Sequence, residues 1–177
     1  MSIKTKRLVL AALFLSLLLI LPLLFGQIKE IGDSLLPMHL PVMLCGMICG
    51  WRYGALVGLV GPWLRGAIFG MPPFYPNAVW MSLELMTYGL VIGLLYRILP
   101  KKYINLYVSL AGAMLAGRLV WGLTKVILLG GGRFTLAAFL TGGFADALPG
   151  IVLQFVLIPQ ILFLLGRSRL MKASSDS

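Results

Sequence analysis

The chain has 177 residues, of which 60% are hydrophobic and 11% charged, and its mean hydropathy is +0.99. Soluble domains of this size are about 45–50% apolar, so the composition excludes an ordinary soluble fold and implies one unit, residues 1–177, embedded in lipid. The net charge of +10 would suggest a nucleic-acid partner in a soluble chain, but most of the basic residues gather at the ends of apolar runs, where they meet anionic headgroups, and no nucleic acid is expected.

Lys4, Lys6 and Arg7 precede the first apolar run, residues 8–25. This opening resembles a secretory signal, but no small-x-small cleavage site follows and the later runs are equally apolar, so a retained first span is expected. Residues 29–34 form a polar outer loop. The second span, roughly 37–50, is short and opens irregularly at Pro37-Met38-His39-Leu40-Pro41. Cys45 and Cys49 within it read as small buried residues, because a disulfide needs an oxidising aqueous site. Spans three and four cover roughly 53–70 and 78–98. Pro72, Pro73 and Pro76 forbid a continuous helix between them, which predicts an ordered or hinged outer loop.

Span five covers roughly 104–129, and Gly130-Gly131-Gly132-Arg133 forms a flexible outer turn. The last run, 135–165, would be about 46 Å long if wholly helical, against about 30 Å of hydrocarbon. Gly142-Gly143 and Pro149-Gly150 are therefore expected to kink it or to divide off a short outer segment. The tail 173–177 is polar and frayed. The fold expected is an all-α integral membrane protein, a bundle of six transmembrane helices. With six spans, the clusters at 4–7, at Arg52, at 97–102 and at 167–172 all fall on one side, which the positive-inside rule makes the cytoplasm together with both termini.

Arg65, Glu84, Arg118, Lys125 and Asp146 fall inside the apolar spans. A charge at the centre of a bilayer costs at least about 2.5 kcal/mol on insertion scales, so each is a functional candidate by default. Counting along the spans puts Arg65 about 18 Å from the inner end and Glu84 about 9 Å from the outer end, with the other three at or above mid-membrane. His39, Tyr75, Asn77 and Trp121 fall at the same level. The pattern predicts an outward-facing polar pocket in which Arg65 and Glu84 face one cavity. Pairing of Glu84 with Arg65 or Arg118 is the structural alternative, as is snorkelling of Lys125 to the outer interface. Three cations against two carboxylates leave one positive charge, which favours a ligand with an anionic or strongly electronegative group.

Small residues recur four apart at Ala12/Ser16, Gly46/Gly50, Gly54/Gly58, Gly89/Gly93 and Ala113/Gly117, a spacing that lets helix backbones approach closely in lipid. Ala12/Ser16, flanked only by apolar residues, suits an outward docking face; the others suit packing within the bundle. The sequence has no G-x-x-x-x-G-K-[ST] loop for ATP, no His-Glu-x-x-His zinc helix and no G-x-S-x-G elbow. No cofactor is expected. A membrane enzyme built on Glu84, Asp146 or His39 lacks a paired catalytic motif.

Several stretches together resemble the substrate-capture subunits, or S components, of energy-coupling factor (ECF) vitamin transporters. They are Met38-His39-Leu40-Pro41-Val42 through Cys49-Gly50-Trp51-Arg52-Tyr53-Gly54, Pro62-Trp63-Leu64-Arg65 into Phe69-Gly70-Met71-Pro72-Pro73, and Met81-Ser82-Leu83-Glu84-Leu85 with Tyr88-Gly89. Gly117-Arg118-Leu119-Val120-Trp121-Gly122 and Ala147-Leu148-Pro149-Gly150 are similar to the later helices of the same family. The likeness spans nearly the whole chain and is nearest the carriers of pantothenate, pyridoxine and hydroxymethylpyrimidine.

The resemblance implies six helices in a prokaryotic plasma membrane and a vitamin pocket near the outer face with gating loops. It also implies docking on a transmembrane coupling subunit with two ATPase subunits, which would bind the ATP, and toppling of the whole component to release substrate inside. The family's docking motif is Ala-x-x-x-Ala; Ala12-Leu13-Phe14-Leu15-Ser16 departs from it at the second place. The embedded charges and the polar and aromatic residues at their level make the candidate ligand contacts Arg65, Glu84, Asn77, Arg118, Trp121, His39, Tyr75 and Asp146. Pantothenate leads slightly because Arg65 or Arg118 could hold its carboxylate, while a pyridoxine-type ring could stack on Trp80, Trp121 or Tyr75. The alternative is a stand-alone carrier.

The charge pattern makes a direct prediction. Single cysteines placed at Ser2, Lys101 and Ser175 in whole cells are expected to react with an impermeant thiol probe only after permeabilisation. Labelling at any of them in intact cells would overturn the orientation.

Overall fold

The computed structural model describes residues 2–25, 36–100, 102–130 and 134–167. The expected loop at 29–34, residues 131–133 of the glycine turn, the tail 173–177 and the basic residues Lys101, Arg169 and Lys172 lie outside the described residues. Among those described there is no strand. The helices are α1 (Ile3–Phe25), α2 (His39–Ile48), α3 (Trp51–Phe69), α4 (Val79–Ile98), α5 (Tyr103–Leu129), α6 (Leu136–Leu140) and α7 (Leu148–Arg167).

Among the described residues four helical segments are long and apolar enough to cross a membrane: Ile3–Leu24, Phe74–Ile98, Tyr103–Leu129 and Leu136–Leu165. The expected second and third spans are weaker. α2 rises only about 15 Å over its length. α3 is longer, but Arg52, Arg65 and its glycines dilute its apolar character.

The helix boundaries follow from local chemistry. α1 starts at Ile3, so Lys4, Lys6 and Arg7 occupy its first turns rather than preceding it. Leu36 has a positive φ of 50°, and the His39 N–H donates to its carbonyl at 3.0 Å, giving α2 the irregular entry expected from its prolines. α3 stops at Gly70, whose left-handed φ of 72° is open to a residue without Cβ. The proline segment then makes a wide turn over Phe74–Ala78, in which Tyr75 is extended. The last apolar run is divided, as its glycines allow: α6 is followed by a wide turn over Thr141–Ala145 and then α7. Pro149 falls in the first turn of α7, where a missing N–H does little harm.

α4 is the central helix, packed on α2, α3 and α5, and α1 lies across α2 and α3. Glycine makes this possible. A Cβ on Gly89 would overlap the backbone of Gly54, one on Gly58 would overlap the Leu85 carbonyl, and one on Gly93 would lie 2.6 Å from Trp51 Cα. The pairs at 54/58 and 89/93 therefore serve packing between α3 and α4, where backbone-to-backbone dispersion replaces the hydrophobic drive that lipid cannot supply. Gly50 does not share this role: it begins α3 at φ 102° with open space where a Cβ would be. Leu85, Tyr88 and Ile92 form the buried spine of α4. α1 has two faces. Ala11, Phe14 and Leu18 are buried, whereas Ala12 and Ser16 are exposed, with the Ser16 hydroxyl donating to the Ala12 carbonyl at 3.0 Å. Cys45 and Cys49 are free and buried.

Gly89→Ala is expected to cost about 1–3 kcal/mol or more, because the added methyl meets backbone that cannot rotate away. Gly112→Ala, which meets only the end of Leu95, should cost less. Thermal denaturation in detergent compares the two; equal midpoints would show that the α3–α4 contact is not close-packed.

Candidate functional site

Glu84 and Tyr88 stand one turn apart on α4 and so share a face. Arg118 reaches them from α5, and His39 from the first residue of α2. All are buried, Glu84 at 2% and Arg118 and His39 at 4% exposure. Gly117 lets α5 come close, since a Cβ there would press on the Tyr88 ring at 2.8 Å. The groups converge on one carboxylate oxygen. Glu84 Oε1 accepts from Arg118 Nη1 at 2.8 Å and from the Tyr88 hydroxyl at 3.3 Å. His39 Nε2 lies 3.5 Å from the same oxygen, a close approach without hydrogen-bond geometry, and its ring meets the Tyr88 ring edge-on at 4.9 Å.

This network is under-used on its donor side. Arg118 Nε and Nη2, and both ring nitrogens of His39, are buried and have no hydrogen-bond partner among the described residues. Buried polar atoms of this kind are nearly always satisfied, and a guanidinium with unmet donors is among the costlier exceptions.

An aromatic wall adjoins the cluster. The Arg118 guanidinium carbon lies 5.8 Å from the Trp121 ring centre. One turn further along α5, Lys125 Nζ lies 4.1 Å from the Trp121 ring centre, 4.8 Å from that of Trp80 and 5.6 Å from that of Phe134. Ring faces hold the Lys125 ammonium by cation–π attraction. Phe134 and Phe139 flank Trp121, and Cβ atoms on Gly142 and Gly143 would touch its indole, so the wide turn after α6 lies against that ring. Arg118 and Lys125 against Glu84 leave one positive charge, with His39 counted as neutral.

The other candidates make no hydrogen bond or ion pair with this centre among the described residues. Arg65 makes no ion pair with Glu84. Its Nη1 donates to the Leu19 carbonyl of α1 at 3.1 Å and its guanidinium carbon lies 5.6 Å from the Phe69 ring centre, so it joins α3 to α1. The ion pair of Glu84 is with Arg118, one of the two pairings the sequence allowed. Asn77 is half-buried in the proline turn, and Tyr75 beside it is exposed. That turn is held over α3, where Phe74 stacks on Trp63 at 5.9 Å and Gly66 leaves room for the Pro72 carbonyl. Asp146 is exposed at the end of the Thr141–Ala145 turn; its backbone N–H donates to Thr141, and its carboxylate makes no ion pair among the described residues.

Sequence reasoning did not single out Tyr88 as a site residue or Phe134 as part of the wall. The spacing of Glu84 and Tyr88 on one helical face was the available signal for the first; nothing local marked the second. Among the described residues no three His, Cys, Asp or Glu side chains come together as a metal site.

The family model described as the substrate-specific component of the ECF transporter matches residues 6–162 of the chain. No curated protein and no solved structure matches it.

Proposed function

The chain belongs to the substrate-specific components of ECF transporters, and on that footing we propose that its buried cluster captures a small water-soluble vitamin or precursor bearing a carboxylate, pantothenate first among the candidates. The family makes the chain a transporter component rather than an enzyme, associated with a transport module and a small-molecule substrate. The fuller reading is a six-span protein of a prokaryotic plasma membrane with cytoplasmic termini. It delivers its ligand to a transmembrane coupling subunit and two ATPases, and the ATP is bound by those partners.

The observation that carries the proposal is the set of unmet donors on Arg118 and His39 beside one surplus positive charge. A ligand carboxylate would take the free Nε and Nη2 fork of Arg118 while Glu84 keeps Nη1. Glu84 would accept from ligand hydroxyls, and Trp121 and Trp80 would cover the apolar part. Displacing water from such a site strengthens each charge-assisted bond. Asn77 and Tyr75 on the proline turn, and Asp146 on the turn after α6, belong to the two segments proposed to close over the ligand. Arg65 in this reading fastens α1 to α3 and does not touch the ligand. A pyridoxine or hydroxymethylpyrimidine ring would use the same aromatic wall but would leave the Arg118 fork unfilled.

Titration calorimetry of the detergent-solubilised protein tests this. Pantothenate should bind more tightly than pyridoxine or hydroxymethylpyrimidine. Arg118→Lys keeps the charge opposite Glu84 but loses the fork, and should weaken pantothenate binding roughly 10- to 100-fold with little change in thermal midpoint. Arg65→Ala should change affinity by no more than about threefold. A large loss in Arg65→Ala with none in Arg118→Lys would move the site to Arg65.

Docking is assigned to the exposed Ala12 and Ser16 of α1, whose small side chains let another helix approach. Ala12→Trp is expected to abolish uptake in proteoliposomes containing the complete transporter while leaving ligand affinity of the isolated subunit unchanged. A parallel loss of affinity would show that Ala12 packs within the chain.

A further inference from the structure

α2 runs from His39, in the cluster, to Ile48, and α4 runs from near Glu84 to Ile98, so both end on the side of the bundle away from the polar site. There a cavity of about 720 Å³ lies between the first turns of α1, the α2–α3 junction and the last turn of α4. Its lining includes Lys4, Arg7, Arg52 and Arg97, and no acidic residue. None of these cations makes an ion pair among the described residues, and Arg7 Nε is buried without a hydrogen-bond partner.

Cations brought around one concavity repel one another. Simple positive-inside charge would be served as well by cations that do not line this cavity, such as Lys102 at the start of α5. The start of α3 adds to the field. Gly50, Trp51, Arg52 and Tyr53 line the cavity, and α3 has no side-chain cap to take up its first backbone N–H groups. Gly50 leaves that approach open, and the Arg52 guanidinium rests against the Trp51 ring at 5.1 Å, which restricts it to the rim.

We propose that this basic cavity is a second binding site, separate from the Glu84–Arg118 cluster, for a phosphate-bearing anion. A phospholipid headgroup and a free phosphate compound share the recognised chemistry: compact, multiply charged oxygens that guanidinium groups and helix N–H groups hold together. The site does not depend on which vitamin the other end binds.

The test uses the full-length protein in detergent, delipidated and titrated with phosphatidylglycerol, phosphatidylcholine and inorganic phosphate, with bound mass read by native mass spectrometry. Phosphatidylglycerol should bind roughly tenfold more tightly than phosphatidylcholine. Arg7→Gln and Arg52→Gln should each remove that preference, while Lys102→Gln keeps it. Displacement of phosphatidylglycerol by inorganic phosphate identifies a site open to free phosphate; retention of the lipid identifies the headgroup as the ligand. Thermal midpoints are measured in parallel, and if Arg7→Gln fails to fold, Arg97→Gln at the exposed rim replaces it with the same expectation. Equal affinity for the two lipids, or an equal loss in Lys102→Gln and Arg52→Gln, overturns the proposal.

Discussion

A charge-assisted bond of 2.8 Å joins Arg118 of α5 to Glu84 of α4 where solvent is almost wholly excluded. Neither residue is tolerable there alone, since an isolated buried charge costs several kcal/mol. The pair therefore fixes how α4 and α5 face each other, and Gly117 supplies the close approach that the bond requires. Tyr88 takes a second place on the same carboxylate oxygen, and His39 brings α2 to the cluster. The remaining Arg118 donors are held in a fixed direction, and the wall of Trp121, Trp80 and Phe134 holds a second cation next to them. Pre-orientation of this kind reduces the ordering cost that a small ligand would otherwise impose on flexible side chains.

The polar centre depends on a frame that has little to do with polarity. α4 is held against α2 and α3 by backbone contacts at Gly46, Gly54, Gly58, Gly89 and Gly93, with Leu85, Tyr88 and Ile92 filling its buried face. Such contacts are rigid because no side chain can yield. By contrast, the segments beside the cluster, Phe74–Ala78 and Thr141–Ala145, are wide turns rather than regular helix, and they carry Tyr75, Asn77 and Asp146 at or near the surface.

Much of this was legible in the sequence, for identifiable reasons. Prolines 72, 73 and 76 announced the break between α3 and α4, and Gly142-Gly143 announced the division of the last apolar run, because those residues act through the backbone alone. Small residues four apart marked the helix contacts, and charges inside apolar runs marked Glu84 and Arg118. What could not be read was direction around a helix axis. Arg65 and Glu84 sit at compatible depths, yet Arg65 turns toward Leu19 of α1, and depth along a span carries no information about that rotation. The cation–π contacts of Lys125 were similarly hidden, because Trp80 and Phe134 are remote from it in sequence or lie on another element. Gly50 matched the packing spacing but serves a turn, because its φ of 102° was invisible beforehand.

The central claim is that the free donors of Arg118 belong to a ligand and not to an imperfectly satisfied structural pair. Mass spectrometry of the small molecules released from purified protein tests it most directly, with wild type and Arg118→Lys prepared side by side. The account predicts a carboxylate-bearing molecule of vitamin size released from wild type in near-stoichiometric amount and strongly depleted from the folded variant. The same molecule released equally from both proteins, or a wild type that is well folded, binds none of the vitamins offered and releases nothing, would contradict it.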